Sequence, residues 1–131
     1  MVENNSKKDS AMTVTPFGGC GEFGMNMTLY ESKGTRVVVD AGTVFPEPWQ
    51  LGVGTVIPDV DPVFDKIGAP KAYLITHGHE DHIGAMPYLI KKWPATIYAT
   101  RWTAELIIRK FDQLGIRAHS LIRIVKAGDV V

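Results

Sequence analysis

The spacing of apolar positions along this chain shifts from two to between three and four, and back. "MTVTPF" reads as a first strand, and in "MNMTLYE" Met25, Met27 and Leu29 alternate with Asn26, Thr28 and Tyr30, which is strand periodicity. "TRVVVD" and "KAYLIT" are short runs rich in β-branched and aliphatic residues, the pattern of strands buried on both faces. Between them "DPVFDKIG" predicts a short helix, with Asp61 as N-cap, Pro62 at its first position and Gly68 past its end. Met86, Leu89, Ile90 and Trp93 fall at helical spacing, with Pro87 in the first turn and Pro94 closing the helix. "ATIYA" is a further strand. "TRWTAELIIRKFDQLG" is a helix from a Thr100 cap to Gly115, and "AHSLIRIV" is a last strand before the turn "KAGD".

A β-meander followed by alternating strands and helices predicts a mixed α/β layered fold. Residues 1–10 are polar and aperiodic and predict a disordered tail, leaving residues 11–131 as the folded part. The chain ends inside an apparent hairpin, so the domain is expected to be incomplete.

Composition narrows the picture. Of 131 residues 45% are apolar, enough for a core, and Lys+Arg and Asp+Glu both total 14, so net charge gives no sign of a nucleic-acid surface. Cys20 is the only cysteine, which excludes a disulfide framework or a cysteine-rich zinc site and predicts a reducing, cytoplasmic setting. "MVENNSKKDSAM" lacks the apolar stretch of a secretory signal, and no apolar run approaches the ~20 residues of a membrane span.

Two stretches carry candidate chemistry. Gly19, Gly21 and Gly24 match the dinucleotide-binding pattern G-x-G-x-x-G, with Asp40 near the place of a ribose-binding acid. That motif needs a helix after its third glycine, and the period-two residues that follow predict a strand, so a plain glycine turn is expected.

"THGHEDH" is the stronger signal. His77 and His79 are two apart, so in an extended segment their imidazoles project to one side and can share a metal ion. Asp81 and His82 follow as the chain turns into a helix, rotating them toward a second position. Imidazole and carboxylate suit zinc, with manganese or iron admissible. A polar turn whose histidines merely cap the helix is the bland alternative, and the density of ligand-type residues speaks against it. His119 lies in a strand-like run close to the cluster in sequence and is not counted among the ligands.

"GGCGEFGMN", "VVVDAGTVFPE", "LGVGTVIPD" and "YLITHGHEDHIGAMPYL", taken together, resemble the N-terminal part of the RNase J family, β-CASP ribonucleases of the metallo-β-lactamase superfamily. The likeness runs from about Phe17 to about Leu106. It implies the N-terminal part of an αββα sandwich in which His77 and His79 bind one metal ion and Asp81 and His82 another, two zinc ions in all. It gives Asp81 a further catalytic role in holding the attacking water, and places Asp40 behind the histidines. Asp40 read alone is equally a turn-forming residue before Ala-Gly. No organic cofactor is implied.

The resemblance also implies 5′-to-3′ exonuclease and endonuclease action on single-stranded RNA, with other RNA-processing enzymes as partners. A further His, a bridging Asp and a late His are expected beyond Val131, so the isolated chain is expected to be inactive and to self-associate. Cys20 stands where the family often has a small aliphatic residue and is read as a buried thiol. The alternatives are a hydrolase of a small thioester, lactone or lactam on the same cluster, and a non-catalytic interaction module.

Overall fold

A computed structural model describes residues 11–131, so the predicted tail lies outside the described residues. The strands β1 (Met12–Gly18), β2 (Met27–Ser32) and β3 (Thr35–Val39) form an antiparallel meander. The strands β4 (Ala72–Leu74), β5 (Thr96–Ala99) and β6 (Ile122–Ile124) then add in parallel beside β3, giving one six-stranded sheet in sequence order. The crossovers carry the helices α1 (Asp61–Ile67), α2 (Glu80–Ile83), α3 (Met86–Lys92) and α4 (Arg101–Gln113). Because strand order never reverses and such crossovers share one hand, the helices all lie on one face of the sheet.

That face holds the core. Val38, Tyr73 and Ile97 pair in register across β3, β4 and β5, and each is fully buried. Phe64 of α1, Leu89 and Ile90 of α3, and Ile107 and Phe111 of α4 pack over them. Phe64 meets Phe17 and Trp93 edge to face, each at 5.5 Å between centroids. Tyr73 donates its hydroxyl to the Trp93 carbonyl at 2.9 Å, and burial pushes its phenol well above the usual tyrosine range.

No helix covers the other face. Val37, Val39 and Leu74 are half-buried, while Val14 and Met12 beside them are 49% and 61% exposed. A doubly apolar strand shows in sequence that both faces want covering; it does not show that both are covered.

Smaller differences have local causes. Strand β2 begins at Met27, not Met25, because Met25 has a left-handed φ of 50° that ends the glycine turn. Asp61 is the first residue of α1 and Val60 its N-cap. The Asp59 carboxylate accepts from the Asp61 N–H at 3.2 Å instead. That frees Asp61 to pair with Lys92 at 2.7 Å and accept from the Trp93 indole at 3.2 Å, and the lysine holds its carboxyl below the usual range. Of "AHSLIRIV", only Ile122–Ile124 is strand, after a 3-10 turn at His119–Leu121. Cys20 lies exposed in the glycine turn, not buried.

Candidate metal centre

The glycine turn is followed by strand β2, so no helix N-terminus stands behind it to receive a phosphate, and the dinucleotide-binding pattern does not apply. The histidine segment leaves the C-terminal end of β4 and enters α2 directly, with His79 as the N-cap residue in extended geometry. An extended His77–His79 stretch followed by a helical turn brings the imidazoles of His79 and His82 next to that of His77. The ring of His77 lies 4.6 Å from that of His79 and 4.0 Å from that of His82.

The loop after β3, together with Asn26 just ahead of β2, holds this segment by its backbone. Ala41 N–H donates to the His82 carbonyl at 2.8 Å, Thr43 N–H to that of Glu80 at 3.1 Å, and Asn26 N–H to that of Asp81 at 3.0 Å. The approach is so close that a Cβ on Gly42 would lie 1.6 Å from the Asp81 carbonyl oxygen. From the opposite side α4 presses on the segment, and a Cβ on Gly78 would sit 2.4 Å from Cδ1 of Leu106. The glycine of "DAG" is therefore required by backbone contact, whereas that of "HGH" faces only the tip of the Leu106 side chain, which can turn aside.

Asp40 is buried behind the histidines, held with a left-handed φ of 60° that Asp tolerates better than most residues. Its Oδ2 accepts from His82 Nδ1 at 2.8 Å. Its Oδ1 accepts from the Thr76 N–H at 2.8 Å, and the Thr76 hydroxyl donates to Oδ2 at 2.8 Å. That hydroxyl has one proton, so toward His77 Nδ1, 3.0 Å away, it must accept. In their neutral form both imidazoles thus carry the proton on Nδ1 and present the Nε2 lone pair. Asp40 thus hydrogen-bonds the His82 ring and, with its left-handed φ, also makes the turn before Ala41.

Asp81 and His82 are half-buried, and Asp81 Oδ2 lies 3.4 Å from His82 Nε2. Glu80 points elsewhere, hydrogen-bonded to Lys110 at 2.8 Å. His119 precedes β6 whereas the cluster follows β4, so in a parallel pairing they lie at opposite ends of the sheet. It pairs there with Asp112 at 3.0 Å.

Among the described residues no three His, Cys, Asp or Glu side chains converge closely enough to hold a metal ion by themselves. The donor chemistry nonetheless suits one: a ligating histidine characteristically gives its second ring N–H to a carboxylate or a carboxylate-linked hydroxyl, as His82 and His77 do. Sequence reasoning missed Asn26 and Thr76. Thr76 adjoins the motif and could have been suspected from position; Asn26 is 55 residues from Asp81 and gave no signal.

Comparison with known proteins agrees with this architecture. Residues 20–122 match the family model described as the metallo-beta-lactamase superfamily. Ribonuclease J of Helicobacter pylori is 40% identical over 93% of this chain, and that of Thermus thermophilus 39% over 79%. Ribonuclease J 1 of Streptococcus pyogenes is 42% identical over 88%. The chain spans less than a fifth of the length of the first of these, 18%. Among solved structures, a diphosphatase from the PhnP family aligns with a TM-score of 0.61 at 16% identity, over 92% of this chain and 53% of its own. A subclass B3 metallo-beta-lactamase from a soil metagenome library aligns with 0.58 at 20%, over 95% and 46%. The structural neighbours share the fold, the sequence relatives share most of this chain, and the chain belongs to the metallo-beta-lactamase superfamily.

Proposed function

We propose that this chain supplies metal ligands to a metal-dependent ribonuclease acting on single-stranded RNA, as exonuclease from the 5′ end and as endonuclease. Its similarity to ribonucleases J supports the substrate class. The observation that carries the metal reading is Asp40, which fixes His82 directly and His77 through Thr76 with both Nε2 lone pairs available. His77 and His79 would hold one ion and Asp81 and His82 a second, zinc by donor type, with manganese or iron as the other candidates.

Bound there, the ions would lower the pKa of water and offset charge on the phosphoryl oxygens. The chain's own part is orientation. Asp40 and Thr76 hold two imidazoles in one tautomer, and the Ala41, Thr43 and Asn26 amides anchor the backbone that carries Asp81 and His82. Asp81 adds a second role, accepting a hydrogen bond from the attacking water and so aiming it. Within this reading the protein acts in the cytoplasm alongside other RNA-processing enzymes, and as a homo-oligomer. No described helix is long and apolar enough to cross a membrane.

The test is turnover by the full-length protein of single-stranded RNA against small thioesters, lactones and lactams, with and without chelator. RNA cleavage lost on chelation and restored by zinc or manganese is the expected result. Turnover of the small esters alone would replace the ribonuclease reading, and indifference to chelation would remove the metal.

A further inference from the structure

The side-chain amide of Asn26 stands where Asp81 and His82 come together. Its Nδ2 donates to Asp81 Oδ2 at 3.1 Å and to the Asp81 carbonyl at 3.1 Å, and lies 3.3 Å from His82 Nε2. With Nδ1 of His82 donating to Asp40, Nε2 of the neutral ring is an acceptor, so three acceptors compete for the two amide hydrogens and fix which end of the amide faces them. Asp81 Oδ2 and His82 Nε2 are 3.4 Å apart and both offer lone pairs. Two such atoms repel unless a donor or a cation lies between them. One amide hydrogen, shared between the two, fills that place, and the other goes to the Asp81 carbonyl.

The glycine turn gives Asn26 its room. A Cβ on Gly19, whose φ is 79°, would lie 2.5 Å from Asn26 Oδ1, and one on Gly18 would lie 2.5 Å from the Met25 carbonyl oxygen. Asn26 is further clamped by its backbone, which donates to the Asp81 carbonyl and accepts from the Gly42 N–H, each at 3.0 Å. "GGCGEFGMN" thus acts as a cradle for one asparagine.

We propose that Asn26 is a positioning residue with the role of a placeholder. Its Nδ2 keeps Asp81 Oδ2 and His82 Nε2 facing each other until a cation takes its position between them, and then gives up His82 while keeping the Asp81 carbonyl. The proposal rests on the metal reading above. It predicts that Asn26 stabilises the metal-stripped protein more than the metal-loaded one, and competes modestly with the metal.

The test uses the full-length protein, stripped with chelator and titrated with zinc alone, comparing wild type with Asn26→Ala and the similarly sized Asn26→Leu. Loss of the donor should lower the melting temperature of the stripped form clearly more than that of the loaded form, which loses only the hydrogen bond to the Asp81 carbonyl. Zinc affinity should rise roughly threefold to tenfold, the value of about one net hydrogen bond. Equal destabilisation of both forms, or weaker zinc binding, would overturn the proposal in favour of a purely structural asparagine. Should neither variant fold, paired wild-type structures decide. Asn26 Nδ2 should stand beyond hydrogen-bond reach of His82 Nε2 in the loaded form, and an unmoved amide beside bound zinc refutes the placeholder alone. A wild type that binds no zinc refutes both the metal reading and the placeholder.

Discussion

Nδ1 of His82 lies 2.8 Å from Oδ2 of Asp40, a contact between residues 42 apart that joins the end of β3 to the start of α2. It fixes the ring's tautomer and its rotation together. Asp40→Asn keeps the size but puts an amide where the acceptor stood, and nothing then obliges Nε2 to face outward as an acceptor. In the full-length protein we expect metal affinity and turnover to fall by about 10- to 100-fold, the usual cost of losing such a partner. Equilibrium dialysis and RNA cleavage measured side by side check this. Unchanged affinity would leave Asp40 as a turn former and nothing more.

Thr76 carries the same influence to His77 through one hydroxyl. Thr76→Val removes that hydroxyl at nearly constant shape, and Thr76→Ser returns it. The valine variant should lose about tenfold in affinity at the His77 position, the serine variant little, by zinc titration. Equal loss in both would point to packing of the methyl group instead.

Gly78 tests the contact with α4. Gly78→Ala drives a methyl against the tip of the half-buried Leu106 side chain, which can turn aside, so it should cost no more than about 1 kcal/mol. Leu106→Ala in the same protein makes room and should recover part of that loss, so a double-mutant cycle by denaturant unfolding should give a coupling of opposite sign to the single effect. Strict additivity would show that α4 does not press on the motif.

The fold was largely legible because each element announced itself by local period. The meander, the alternation of strands and helices and the exit of His77 from a strand all follow from residues near one another in sequence. What was not legible depends on contact across the chain. Whether both faces of β3 and β4 are covered depends on neighbours, not on the strands' own residues, and Val37, Val39 and Leu74 are half-open. Asp61 was predicted to cap α1, yet Asp59 took that hydrogen bond and Asp61 turned to Lys92. The metal ligands stood out by density, whereas Asn26 and Thr76 are ordinary residue types whose roles appear only when β2, β3 and α2 meet.

The bare sheet face has a consequence for residues 11–131 expressed alone. Met12 and Val14 of β1, and Val37, Val39 and Leu74 of β3 and β4, put apolar side chains on that face to either side of Tyr30, and such area tends to be covered in water. The isolated segment should self-associate, and Val39→Lys should shift it toward monomer. Sedimentation across a dilution series reads both. A well-dispersed wild-type monomer at high concentration would mean that this face is stable in water.

The central claim is that His77, His79, Asp81 and His82 bind metal. Anomalous scattering at the zinc edge from crystals of the full-length protein tests it most directly. The account predicts two peaks, one at about 2.0–2.2 Å from nitrogens of His77 and His79 and one at that distance from Asp81 and His82, with the first peak abolished by His79→Ala. Zinc bound elsewhere, or a His79→Ala protein with both peaks intact, would contradict it.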